Sequence, residues 1–381
     1  MTEGGPHPAL LDDPAHRAAW DPSGFWGRIA SLPEQVVAAR QAAGEVVIPG
    51  AARACARILV AGMGGSAIGG DLVAGLADAL GGPQVVVWRD FGLPPWVDRQ
   101  TLVVVSTYSG ETPETLSSLD AALRRGVPLL VLTSGGTAAR RAAQHALPLL
   151  SIPYRGEPRT AVGWLFFGLL ALLERAGLFS VGAGWEEAIA LLRRQGEALA
   201  PTTPLARNPA KELAAHLYGK IPVIWGMGFL KGVAHRWKTQ VNENAKAPAF
   251  TEAVPEALHN AVEGLEGEAT SPLGVVVLSS PLVAGEQRRQ GEALRSLLQG
   301  KGTWSRWVEG EGDTPLGQVA GLLFLGDWTS YYLALLYRRD PAPVPTITAL
   351  RAALQRGASP PPSPGPAPSG GPWSGPPGPP G

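Results

Sequence analysis

The sequence contains a single cysteine, Cys55. That excludes an intramolecular disulfide and any metal cluster built from cysteine alone, and it fits a reducing compartment such as the cytoplasm. Cys55 itself reads as a small buried hydrophobe. Net charge is lacking as well, since 32 basic side chains face 32 acidic ones. With no bulk field to attract nucleic acid or an anionic membrane, affinity for an anion has to come from a local site. The longest apolar run, Ala161 to Leu173, is closed by Glu174 and Arg175 and falls short of the roughly 20 residues that cross a bilayer. Met1 to Ala19 carries prolines and acids rather than a basic region followed by an apolar one, so no signal peptide is expected there. No two of the six histidines have the spacing of a zinc site, and no metal is expected.

A chain of 381 residues is long enough for two ordinary cores and a tail. Ile58 to Ala61 is a β-branched apolar run that leads into Gly62-Met63-Gly64-Gly65-Ser66, and a helix-compatible stretch follows from Ala67 to Leu80. The same grammar returns at Val85 to Trp88, at Thr101 to Ser106 and at Leu129 to Thr133. After helical stretches at Trp185–Leu199 and Pro209–Tyr218 a second series begins. Ile221 to Trp225 is a strand, Gly226-Met227-Gly228 its turn, and Leu230 to Ala245 a helix that stops before Pro248. Val275 to Ser279 is a further strand and Gly321 to Tyr337 a long apolar helix. Repeated strand-then-helix units predict an α/β protein with two doubly wound parallel-sheet domains and flanking helices. The expected boundaries are an N-terminal segment and helix over 1–45, a first domain over 46–178, a second over 179–355, and a Pro/Gly-rich tail over 356–381 whose composition predicts disorder.

In open parallel sheets, ligands bind where a strand ends and the next helix begins, because backbone N–H groups and the helix dipole point there together. Glycines at 62, 64 and 65 let backbone approach a ligand, and Ser66 offers a hydroxyl at the helix start. Taken alone, Gly62-x-Gly64-x-x-Ala67 also satisfies the dinucleotide fingerprint, with Asp90 placed for a ribose contact. A nicotinamide-dependent oxidoreductase therefore stands as one reading. Thr107-Tyr108-Ser109-Gly110-Glu111-Thr112-Pro113 weighs against it, since it sets hydroxyls around a glycine just before another helix. Ser66, Thr107, Ser109 and Thr112 can converge on the three terminal oxygens of a phosphate ester, although Ser109 and Thr112 also suit plain helix capping.

The segments Gly62 to Asp71, Thr107 to Thr115, Glu157-Pro158-Arg159, Lys238 to Lys246 and Pro255 to Asn260, in that order, resemble the bifunctional phosphoglucose/phosphomannose isomerases, which pair two SIS domains. The resemblance spans roughly Leu32 to Leu354. It implies two SIS-type domains, a homodimer with active sites near the subunit interface, no metal, and no redox cofactor. It also implies interconversion of fructose 6-phosphate with glucose 6-phosphate and mannose 6-phosphate. By matching position, Gly65, Ser66, Thr107, Ser109 and Thr112 would hold phosphate, Arg159 would stabilise the enediolate, Glu243 would be the base, and His259 would open the ring. Thr107 stands where the family more often has serine. Arg351 stands where the family has a lysine that assists ring opening, and a guanidinium does not exchange protons near neutral pH. That departure motivates a second reading, a sugar-phosphate sensor without turnover.

These residue types suit the chemistry. Glu243 lies towards the end of its expected helix, where the dipole disfavours a carboxylate, with Lys246 close behind to oppose that effect. His259 has the proton affinity for exchange with a ring oxygen. Arg159, between a proline and a buried helix, needs an anionic partner, for which Glu157 is the alternative to substrate. His216 and His235 read as structural.

Overall fold

The computed structural model describes residues 7–266, 272–283, 285–302 and 304–355, and the expected disordered tail lies outside them. Residues up to Ala342 form one compact unit that holds both sheets. A second unit begins at Pro343 and carries the helix Pro345–Gln355.

The first sheet is formed by β1 (Arg57–Ala61), β2 (Gln84–Trp88), β3 (Thr101–Thr107), β4 (Leu129–Thr133) and β5 (Leu149–Ser151), in the order β2-β1-β3-β4-β5. The second contains β6 (Ile221–Met227), β7 (Phe250–Val254), β8 (Leu273–Ser279) and β9 (Ser305–Glu309), in the order β7-β6-β8-β9. Every pairing is parallel. The α/β class and the two parallel sheets are thus as the sequence predicts. Strands β5, β7 and β9 were not expected, because one has only three residues and the others mix polar with apolar side chains. Gly226 and Met227 belong to β6 rather than to the turn after it, which starts at Gly228.

Alternation along each strand decides which core a residue joins. Ile58, Val60, Leu102, Val104, Leu130 and Leu132 enter the large central core, whereas Leu59, Val103, Val105, Leu129 and Val131 pack on helices Pro113–Arg125 and Gly136–Gln144. In the second sheet Ile224, Val276 and Leu278 face that same central core, and Trp225, Val275 and Val277 face helix Glu286–Gly300. The central core therefore lies between the sheets, and it includes Leu11, Phe25, Ile29 and Val36 from the N-terminal segment.

The centre of that core is helix Pro315–Leu336, which is longer than the expected Gly321 to Tyr337. By length and composition it could cross a membrane, although Asp327 interrupts its apolar run. Its residues are almost wholly buried inside the protein, the ordinary position of a core helix.

Helices Gly65–Leu80 and Lys231–Gln240 follow the first strand of each sheet and cross at close range. A Cβ added at Gly232 would sit 2.8 Å from the Asp71 carbonyl oxygen. Gly232→Ala should force the two helices apart and lower stability by about 1–3 kcal/mol. Gly27→Ala, in a helix with open space around it, should be neutral or slightly stabilising. Denaturant unfolding of the two variants checks the contrast.

Candidate active site

The chain leaves β1 for β2 on one side of the first sheet and for β3 on the other, so the carboxyl ends of β1 and β3 flank a topological switch point. Both hydroxyl-bearing corners lie there. Ser66 Oγ accepts from the Tyr108 N–H at 3.0 Å, and Ser106 Oγ donates to the Ser66 carbonyl at 2.8 Å. Thr107 Oγ1 lies 3.4 Å from Thr112 Oγ1 and accepts from the Gly110 N–H at 3.2 Å. Thr112 is the N-cap of helix Pro113–Arg125, yet its side chain caps no N–H. Its hydroxyl turns towards Thr107, which argues against a purely capping role. Ser109 is exposed, and its Oγ accepts from the Glu111 N–H at 3.3 Å.

The glycines require a correction. Gly62 and Gly65 were expected to clear space for a ligand, but protein fills both positions. A Cβ on Gly62 would lie 2.8 Å from the Ser106 carbonyl oxygen, and one on Gly65 would lie 3.2 Å from the Arg159 backbone nitrogen. Only Gly64, at φ +51°, has open space where its side chain would be.

The contact at Gly65 brings the first hydroxyl-bearing corner against Arg159, which is 2 % exposed. Arg159 Nε donates to Asn244 Oδ1 at 2.7 Å, and Nη2 donates to the carbonyls of Pro341 at 2.6 Å and Ala342 at 2.8 Å. Nη1 reaches Glu243 Oε2 at 3.5 Å, and the guanidinium carbon stands 5.1 Å from the centroid of the Phe25 ring. Burial pulls the guanidinium below its ordinary range, and the Glu243 carboxylate opposes that. Glu157 is not its partner, because that carboxylate pairs with Arg28 at 2.5 Å.

Glu243 is 26 % exposed. The helix expected from Leu230 to Ala245 is α-helical only over Lys231–Gln240, and Val241–Ala245 is a π-helical turn. Such turns are frequent at functional sites. This one buries Asn244 while Glu243 stays partly open, and Lys246 ends it at φ +56°. Lys246 Nζ donates to the main-chain carbonyl of Glu243 and, at 3.1 Å, to that of Pro341. Burial, with Arg159 nearby, lowers its ammonium to about 8.

Behind these groups is a buried polar network that sequence reading missed. Arg236 donates to both oxygens of Asp327, at 2.9 and 2.7 Å, and also to the Arg159 carbonyl at 2.9 Å. Gln240 Nε2 donates to Asp327 Oδ1 at 3.0 Å, and Asn244 Nδ2 donates to Ser330 Oγ at 2.9 Å. Burial raises the Asp327 carboxyl while Arg236 holds it down. One signal was available: Asp327 is the sole charged residue in helix Pro315–Leu336, and a buried charge demands a partner.

Ser66, Thr107, Thr112, Arg159 and Glu243 thus form one connected set, joined through Gly65. His259 does not join it within a single chain. It ends the short 3₁₀ helix Glu256–His259, is exposed, and hydrogen-bonds none of these residues. Arg351 is exposed on helix Pro345–Gln355, in the second unit. Among the described residues no group of three or more His, Cys, Asp or Glu side chains gathers in a way that could hold a metal ion.

Residues 206–354 match the model of the bacterial phospho-glucose isomerase C-terminal SIS domain. The chain is 33 % identical over 334 residues to a bifunctional phosphoglucose/phosphomannose isomerase of Caldicellulosiruptor bescii, covering 86 % of this chain and 97 % of that one. It is 32 % identical over 304 residues to the protein of that name in Aquifex aeolicus, covering 79 % and 91 %. Among solved structures, a hypothetical protein from Thermus thermophilus superposes with a TM-score of 0.69 at 19 % identity, over 91 % of this chain and 94 % of that one.

Asp327→Ala leaves Arg236 buried without its counter-charge and should destabilise the protein by about 3–5 kcal/mol. Equilibrium unfolding measures this, and an unchanged midpoint would mean that the network is not structural.

Proposed function

The chain belongs to the bifunctional phosphoglucose/phosphomannose isomerase family, and from that membership we propose that it interconverts fructose 6-phosphate with glucose 6-phosphate and mannose 6-phosphate. The observation that carries this reading is the contact of Gly65 with Arg159, which sets a hydroxyl-lined helix start against a guanidinium and a carboxylate.

In this mechanism Ser66, Thr107, Ser109 and Thr112, with the N–H groups at the start of helix Gly65–Leu80, hold the phosphate. Glu243 removes the proton from C2 of an aldose phosphate, or C1 of the ketose phosphate, and returns it to the neighbouring carbon. Electron density moves onto the substrate's carbonyl oxygen, the charge of the enediolate is stabilised by Arg159, whose backbone-anchored guanidinium needs no reorganisation, and the neighbouring hydroxyl passes its proton to that oxygen as the carbonyl shifts to the other carbon. The reaction is redox-neutral overall, so proton transfer suffices and no electron carrier is required. Glucose and mannose phosphates share this enediolate, so one base serves both epimers if the intermediate rotates about its C2–C3 bond or the pocket accepts either epimer.

Ring opening falls to His259, with Arg351 as a charged hydrogen-bond donor. His259 is exposed in the single chain, and a homodimer with its active sites near the subunit interface would give it access to a substrate. We place the enzyme in the cytoplasm, in keeping with its single cysteine.

Purified protein should convert fructose 6-phosphate to both aldose phosphates, and absence of turnover together with a ligand-induced thermal shift would favour the sensor reading instead. Glu243→Gln should lower kcat by about 10²–10⁴-fold with KM little changed.

Lys246 adds a pH dependence. Its ammonium clamps the carbonyl behind the base to the Pro341 carbonyl that also holds Arg159, and Arg159, Asp340, Glu243 and Glu157 are the charges around it. Loss of its proton above pH about 8 replaces charge-assisted bonds with neutral ones, so kcat should decline on the alkaline side. Lys246→Arg, which does not titrate there, should extend activity to higher pH, and the two kcat profiles read this directly.

A further inference from the structure

The second sheet has a switch point of its own, between β6 and β8, whose other neighbours are β7 and β9. A crevice of about 310 Å³ opens at the carboxyl end of these strands. Met227, Ser279 and Glu309, the last residues of β6, β8 and β9, line it together with Arg288, Glu292 and Arg295 of helix Glu286–Gly300. None of these residues takes part in the isomerase site.

Ser279 belongs to the face of β8 on which Val275 and Val277 pack against Leu294 and Leu298 of that helix. Its hydroxyl therefore points to the crevice side of the strand. Ser279 is 4 % exposed, and its Oγ has no hydrogen-bond partner. A buried hydroxyl without a partner is uncommon enough to need a reason.

Arg295 supplies a second feature. Its guanidinium carbon lies 5.5 Å from the centroid of the Trp307 ring, and among the described residues it makes no ion pair, although Glu292 lies three residues earlier on the same helix. The ring lies within cation–π range of the guanidinium, and the exposed Arg295 keeps N–H groups to offer a phosphate or carboxylate. Arg288 has a different task, because its Nη2 donates to the Pro281 carbonyl at 3.1 Å and secures the loop above the crevice.

The carboxylates narrow the ligand class. Glu292 and Glu309 would oppose a bare anion, but they accept hydrogen bonds from hydroxyl groups. We propose that this crevice is a second small-molecule site, which binds an anionic polyol, a phosphorylated or carboxylated sugar, with the anionic end on Arg295 and the hydroxyls on Ser279, Glu292 and Glu309. The site is separate from the one that turns over substrate, so it can be removed without loss of isomerase activity.

Calorimetric titration of the full chain with glycerol 3-phosphate and with gluconate tests this. At least one of the two should saturate, and Arg295→Leu and Ser279→Ala should each weaken that binding about tenfold. Turnover of fructose 6-phosphate should stay at the wild-type level in both variants. Ser279→Ala, which removes an unpartnered hydroxyl, should leave the unfolding midpoint unchanged or raise it, so that weaker binding is not a symptom of misfolding. Saturation by the phosphate ester alone identifies a phosphate site, and saturation by gluconate alone identifies a carboxylate site. The proposal is overturned if neither ligand saturates up to about 10 mM, or if both substitutions leave the affinity unchanged.

Discussion

The paired charges of Arg236 and Asp327 are the constraint on which the active region depends. Two ions removed from water are tolerated only when their geometry is good and their remaining donors and acceptors are satisfied. Here both oxygens of Asp327 accept from Arg236, Gln240 adds a further donor, and Arg236 still has a hydrogen for the Arg159 carbonyl. The pair therefore joins helix Pro315–Leu336 to helix Lys231–Gln240 and fixes the backbone of Arg159. Asn244 repeats the pattern one turn further on, with its amide on Ser330 and its carbonyl oxygen on Arg159. The guanidinium that the proposal sets against a developing negative charge is thus held by buried partners, which is what preorganised electrostatic stabilisation requires.

Close backbone contact completes the coupling between the two sheets. Glycines at 65 and 232 let the first helix of the first sheet touch Arg159 on one side and the first helix of the second sheet on the other. No side chain intervenes at these contacts, so the spacing between the Gly65 corner and Arg159 is set by main-chain packing. In the π-helical turn that follows Lys231–Gln240, Asn244 is turned inward while Glu243 stays at the surface of the site.

Much of this was legible in the sequence, and the parts that were not have physical reasons. Strands β1, β3, β4, β6 and β8 read clearly because they are buried on both faces and so run as unbroken apolar segments. The edge strands β5, β7 and β9 lack that signature. The strand-to-helix corners at Gly62–Ser66 and Thr107–Thr112 fall close to where the sequence put them, because glycine, serine and threonine next to a strand end carry their own geometric meaning. The reason for glycine at 62 and 65 was not legible, since a missing Cβ looks the same whether ligand or protein backbone fills the space. Glu157 was a reasonable partner for Arg159 by proximity in sequence, yet Arg28, far away in the chain, takes it. Asp327 and Arg236 are 91 residues apart, and no local pattern links them.

The unequal anchoring of the residues has a chemical logic. Proton transfer between C1 and C2 demands accurate placement, because small errors in the distance between base and carbon have large effects on rate. Arg159 has several hydrogen bonds to buried partners, and Glu243 lies on a turn fixed by Asn244. Ring opening is less demanding, since it moves a proton between oxygens and tolerates an intervening water. His259 and Arg351, to which the proposal gives that step, are both exposed. In the proposed mechanism, holding the phosphate and the enediolate oxygen would fix the two ends of the substrate and leave the configuration at C2 to the face that is reprotonated. Under that proposal such a site serves two epimers through a single intermediate when the enediolate turns about its C2–C3 bond between deprotonation and reprotonation.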